Sequence, residues 1–150
     1  MELQPYEHRD CPALARLFFE TVRTVNRRDY SRAQVEAWAP EVPDLAAWDA
    51  ALSACHTLVA VEGGEIVGFA DMDSDGYLDR LYVHRAHQGR GIASALCNAL
   101  EEACSAGRFT TYASLTARPF FEGRGYRVVK AQQVERRGVL LPNFKMEKHP

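Results

Sequence analysis

The stretch Gln88-Gly89-Arg90-Gly91-Ile92-Ala93-Ser94 lies where a strand-like pattern, Leu81-Tyr82-Val83, gives way to a helical one. Two glycines at that seam raise a question of chemistry. The first turn of a helix leaves main-chain N–H groups unpaired and carries partial positive charge. An anion docked there meets ready-made donors, and glycine, having no Cβ, lets it come close. Arg90 puts a cation between the glycines, with His84, Arg85 and His87 just upstream. The set suits a pyrophosphate. Chain reversal alone would also use two glycines, so the seam by itself leaves both readings open.

Other phosphate and metal patterns fail. A P-loop needs Gly-Lys, a pair absent from the chain. A dinucleotide fingerprint needs Gly or Ala where Ser94 stands, and an acid that the strand 109–115 does not offer. Asp71-Met72-Asp73-Ser74-Asp75-Gly76 copies the start of an EF-hand loop. Tyr82 occupies the position of its bidentate glutamate, however, and the flanks read as strands, so a polar hairpin turn is expected. Cys11, Cys55, Cys97 and Cys104 form no C-x-x-C pair and read as free thiols. Cys97 and Cys104, seven apart, are expected on one helical face in the core.

The chain has 150 residues, 47% hydrophobic and 25% charged, with a net charge of −2. These values fit one globular domain, 1–150, and argue against a surface that coats nucleic acid. No apolar run approaches the roughly 20 residues that span a bilayer. The N-terminus lacks the regions of a signal peptide. The expectation is a cytoplasmic protein without nucleic-acid or membrane partners.

Periodicity places the elements. A short strand at 2–6 is followed by a helix capped by Asp10 and reaching about Asn26. Ser31 opens a second helix that ends before Pro40, and Asp44 a third. HTLVAVE (56–62), EIVGFADMD (65–73) and YLDRLYV (77–83) alternate as three antiparallel strands, the first two joined by Gly63-Gly64. The helix after Gly91 buries Ile92, Leu96, Ala99, Leu100 and Ala103, with Gly107 as its C-cap. FTTYASL (109–115), a short helix over TARPFFEGRG, and a final hairpin turning at Gly138 complete an α+β, mixed α/β order.

Two of these segments carry a likeness. Gln88-Gly89-Arg90-Gly91-Ile92-Ala93 resembles the Q/R-x-x-G-x-G/A signature of the GNAT superfamily of N-acetyltransferases. Ala117-Arg118-Pro119-Phe120-Phe121-Glu122-Gly123-Arg124-Gly125-Tyr126 resembles that superfamily's A-x-x-F-Y-x-x-x-G-F/Y segment. The two occur in the right order and context over about residues 56–147, and the wording is similar to a small bacterial branch. The resemblance implies a central, mostly antiparallel sheet of six or seven strands with helices on both faces. It implies acetyl-CoA (coenzyme A) as cofactor, the amides of Gln88 to Ser94 wrapping its pyrophosphate. The pantetheine arm is expected along Leu81, Tyr82 and Val83, in a splay between that strand and 109–115. Ser114 stands where the family often has a cofactor-contacting Asn; a helix cap is its other reading. The acceptor is expected to be a small-molecule or protein amine, and the likeness also allows a homodimer.

Acetyl transfer to an amine needs a polarised thioester carbonyl, a proton acceptor for the amine and a leaving thiolate. A main-chain N–H near Leu81 to Val83 is expected to polarise the carbonyl. Asp79, alternating with Leu81 and Val83, is the leading base, with Asp71 and Asp73 as rivals and a surface ion pair as the plainer role. Phe121 occupies the place of the family's usual acid, a Tyr, so the proton must come from Tyr82, Tyr112 or Ser114, or the thiolate leaves unaided. Phe121 is then expected to wall the sulfur, with Phe120 in the core. Tyr30, Trp38 and Trp48 are candidates for the acceptor wall. The alternatives are a non-catalytic acyl-CoA sensor and a regulator that binds ATP or NAD at the same seam.

Overall fold

A computed structural model describes residues 1–150. The strands are β1 (Glu2–Pro5), β2 (His56–Glu62), β3 (Glu65–Met72), β4 (Tyr77–Val83), β5 (Phe109–Ser114), β6 (Arg127–Arg136) and β7 (Val139–Lys148). They form one sheet in the order β1-β2-β3-β4-β5-β7-β6. Every neighbouring pair is antiparallel except β4 with β5. Five helices accompany it: α1 (Cys11–Thr24), α2 (Arg32–Trp38), α3 (Leu45–Ser53), α4 (Ile92–Ala103) and α5 (Arg118–Gly123). No helix is long and apolar enough to cross a membrane.

Alternation along the strands builds a core on each side of the sheet. On one face Ala60, Val67, Ala70, Leu78 and Val83 meet Ile92, Leu96, Cys97 and Leu100 of α4 and Phe121 of α5. On the other, Val59 and Phe69 meet Leu14 and Leu17 of α1 and Leu52 of α3. A further cluster joins Val22, Tyr30 and Val35 to Leu141 of β7. Each buried Val, Leu, Ile or Phe among them contributes about 1.5–3 kcal/mol.

Sequence signals set the helix starts. Ser31 Oγ accepts from the Gln34 amide at 3.1 Å while Gln34 Oε1 accepts from the Ser31 amide at 2.8 Å, a reciprocal cap. Asp44 caps α3 through the Ala46 amide. Asp10 differs from expectation: it precedes α1, but its carboxylate accepts from the Glu7 amide instead. The end of α4 differs as well. The helix stops at Ala103, with Cys104 extended, and Gly107 has no positive φ to serve as a cap. Ala103 is therefore exposed, and Cys104 is half-buried, outside the helix, unlike Cys97.

Glu101 on the last turn of α4 fastens the distal end of the molecule. It accepts from Tyr126 Oη at 2.7 Å, Lys148 Nζ at 2.8 Å and Arg124 at 3.1 Å. Burial alone would raise its carboxyl. The Lys148 and Tyr126 hydrogen bonds and Arg124 outweigh that and hold it below its ordinary 4.5. A depressed carboxyl adds stability that is present above its unfolded value and lost as pH falls through the folded one. The Tm gap between the native chain and Glu101→Gln should accordingly be widest at neutral pH and close as pH drops below 4.5 in thermal melts.

Candidate active site

The parallel pair is the weak seam of the sheet. β4 and β5 pair only at Tyr77 with Thr110 and Leu78 with Thr111. Thr111 Oγ1 donates to the Leu78 carbonyl at 2.9 Å, and beyond this tie the strands part. A bulge lies at the same point. Against β3, Asp71 faces Arg80 while Met72 faces Leu78, so Asp79 is an extra residue in β4. The expected alternation of Asp79 with Leu81 and Val83 is thereby corrected. Leu78, Leu81 and Val83 join the α4 face, whereas Arg80 lies over Trp48, its guanidinium 5.0 Å from the ring, and Tyr82 packs on Phe18 and Phe69. Asp71 pins the bulge. Fully buried, it accepts from the Arg80 amide at 2.8 Å and from its guanidinium at 2.6 Å.

A cleft of about 760 Å³ runs through the parted strands. Its near end is the glycine seam. Gly89 and Gly91 have φ of 73° and 79°, a left-handed conformation that favours glycine, and Gly91 is the N-cap of α4. A Cβ at either would meet no protein atom within 4 Å, so the open side faces the cleft. No main-chain amide from Gln88 to Ser94 donates a hydrogen bond within the protein. The Gln88 side chain is a strut, donating to the Val83 carbonyl at 2.6 Å. Arg90 departs from expectation. Its side chain is absent from the cleft wall and leans to Glu62 at 3.8 Å and His87 at 3.4 Å. His84 accepts from the Ala86 amide.

Midway, Leu81, Tyr82 and Val83 face Ala113 and Ser114 across the gap. Ser114 Oγ accepts from the Ala117 amide at 3.0 Å, which is the cap reading. The two phenylalanines exchange their expected places in part: Phe121 is 2% exposed within the core, Phe120 is half-buried, and both touch the cleft. The Tyr82 hydroxyl has no hydrogen-bond partner in the protein, and burial pushes it above the usual tyrosine range against the pull of Arg80. Tyr112 is exposed and stacks on Tyr77. Asp79 is half-exposed in the cleft wall next to the Leu78 tie, 3.3 Å from both the Tyr77 hydroxyl and Arg80. Asp71 is tied to Arg80, and Asp73 accepts from the Asp75 and Tyr77 amides in the hairpin turn.

At the far end Tyr30 and Trp38 line the cleft as expected, but Trp48 does not. Thr21 and Asn26 from the α1 side, and Gln132 and Asn143 from the β6–β7 hairpin, complete it. Nothing in the sequence marked these four, because single polar residues in amphipathic segments carry no motif.

The chain matches the family described as Acetyltransferase (GNAT) domain over residues 26–148. It is 35% identical over 150 residues to the uncharacterized N-acetyltransferase YafP of Escherichia coli, covering 100% of this chain and 97% of that protein. A GCN5-related N-acetyltransferase structure from Rhodopseudomonas palustris superposes with a TM-score of 0.94 at 36% identity, covering 99% of this chain and 95% of that one. The PaiA N-acetyltransferase of Thermoplasma acidophilum, solved with coenzyme A, shares the fold at a TM-score of 0.80 and 17% identity, covering 99% and 98% of the two chains. The chain therefore belongs to the GNAT acetyltransferase family and is an acyltransferase of that class.

Proposed function

We propose that this protein moves the acetyl group of acetyl-CoA directly to a primary amine. The observation that carries the reading is the row of undonated amides from Gln88 to Ser94 at the mouth of a split sheet. These amides hold the diphosphate, with the α4 N-terminus behind them. The free edge of β4 at Leu81 to Val83 receives the pantetheine arm as an added strand. Acetyl-CoA supplies the activated thioester. A main-chain N–H of that edge polarises its carbonyl. The amine nitrogen attacks the carbonyl carbon, the C–S bond breaks, Asp79 takes the amine's proton, and Tyr82 donates one to the departing sulfur. Tyr82 suits the acid role because its hydroxyl is protonated, unpartnered and in the cleft wall.

Calorimetry with acetyl-CoA, then a CoA-release assay over an amine panel, tests this. Binding followed by turnover is expected. Binding with no turnover would leave a non-catalytic acyl-CoA sensor, in keeping with Phe121 at the family's tyrosine position. Thermal stabilisation by ATP or NAD but not by CoA species would overturn the reading. Asp79→Asn is expected to lower kcat about 10²-fold; unchanged turnover across pH would strip Asp79 of the base role.

A further inference from the structure

We infer that Thr21 and Asn143 form the seat of the acceptor's amino group, and that they hold it uncharged. The inference rests on the transferase reading and specifies the half of the cleft which that reading leaves open. Thr21 is 5% exposed, yet its Oγ1 has no partner. A helical threonine ordinarily returns its hydroxyl to the carbonyl four residues back, as Thr24 does to Glu20 at 2.7 Å. Thr21 forgoes that bond and lines the cleft. Asn143 Oδ1 is likewise buried without a partner in the cleft wall. Asn143 stands opposite Ser114, on the β5 side of the split. The Tyr30 hydroxyl fixes the surroundings, donating to the carbonyl of Pro142 at 2.5 Å and accepting from the Leu115 amide at 3.0 Å. The strand ends beside Asn143 and Ser114 are thus held to one hub.

Buried polar atoms are costly unless something bonds them. Two oxygens without partners call for N–H donors. A neutral primary amine offers two, and its lone pair stays free for attack. An ammonium would need a counter-charge in the same place. The titratable side chains around this end are Tyr30, Tyr82, Tyr77 and Tyr112, with Asp79 and Arg136 also in the cleft wall. Burial raises Tyr30 and Tyr82, so neither becomes an anion at neutral pH. Asp79 is the one carboxylate of the set, and it is half-exposed and next to Arg80. The proton is shed before the amine reaches the seat, and the amine binds there without it. The class of acceptor is a small primary amine whose nitrogen can be stripped of its proton at little cost.

The test is an NMR titration of the ¹⁵N-labelled full chain with CoA and with propylamine, the latter run both with and without CoA. Propylamine should move the Asn143 carboxamide signals and the Thr21 amide. Its apparent affinity should rise with pH in step with the neutral amine fraction. Thr21→Val and Asn143→Ala should each weaken propylamine about tenfold, leave the CoA shifts at Gln88 to Ser94 unchanged, and not lower Tm. Unaltered propylamine binding in both variants, absence of movement at Asn143, or affinity that follows the ammonium form would overturn the inference. If CoA moves the seam amides and propylamine leaves Asn143 still, the seat alone falls. If CoA leaves the seam still, the transferase reading falls, and the titration without CoA still decides the seat.

Discussion

Gly91→Glu is expected to weaken acetyl-CoA binding at least a thousandfold in calorimetry. The new carboxylate would stand among the unpaired amides proposed to hold the diphosphate. Like charges about 4 Å apart repel by about 4 kcal/mol at an effective dielectric near 20, which is a thousandfold in Kd. The protein itself should tolerate the change, because a Cβ at Gly91 meets no atom within 4 Å. The cost to folding is the left-handed backbone at φ 79°, about 1–2 kcal/mol for a residue with a side chain. That corresponds to roughly 2–4 °C in Tm per kcal/mol. Gly91→Ala bears the same strain without the charge and should retain measurable binding. If Glu and Ala weaken binding equally, conformation rather than anion recognition governs the seam.

Tyr82→Phe should reduce kcat about 10²-fold, the usual range for a lost general acid, with acetyl-CoA affinity and Tm preserved. Preservation follows from the packing. The ring stays between Phe18 and Phe69, with centroids 5.1 and 5.7 Å away, and the hydroxyl makes no bond within the protein whose loss would be felt. Because burial raises the hydroxyl, the alkaline fall in the native rate should lie above the ordinary tyrosine value of 10.0. An unchanged kcat would mean that the thiolate departs without help. Tyr112→Phe is the control: that side chain is exposed against Tyr77 and should have little effect.

The sequence showed the glycine seam and most elements because their signals are local. Strand alternation, the Ser31 and Asp44 caps, and Gly89 and Gly91 each report on their own few residues. The bulge at Asp79 is not local. Leu-Asp-Arg-Leu-Tyr-Val alternates acceptably in either phase, and only the buried carboxylate of Asp71, from the neighbouring strand, selects the shifted one. The early end of α4 carries no local signal either, since Cys104 leaves the helix extended three residues before Gly107. The exchange of Phe120 and Phe121 turns on the orientation of the short α5, which two adjacent phenylalanines leave undetermined. Much of the far end of the cleft comes from β6 and β7, late strands whose lining residues, among them Gln132, Val134, Leu141 and Asn143, spell no motif.

The pairing of β4 with β5 through only two residue pairs has a mechanical meaning. The four strands on one side and the three on the other share little more hydrogen bonding than a hinge would provide. The molecule proposed to thread between them would act as a missing rung, making loading and bracing one event. The unloaded protein would then be the one most readily opened by a protease, and its lifetime in a cell would track the supply of the molecule that fills the split.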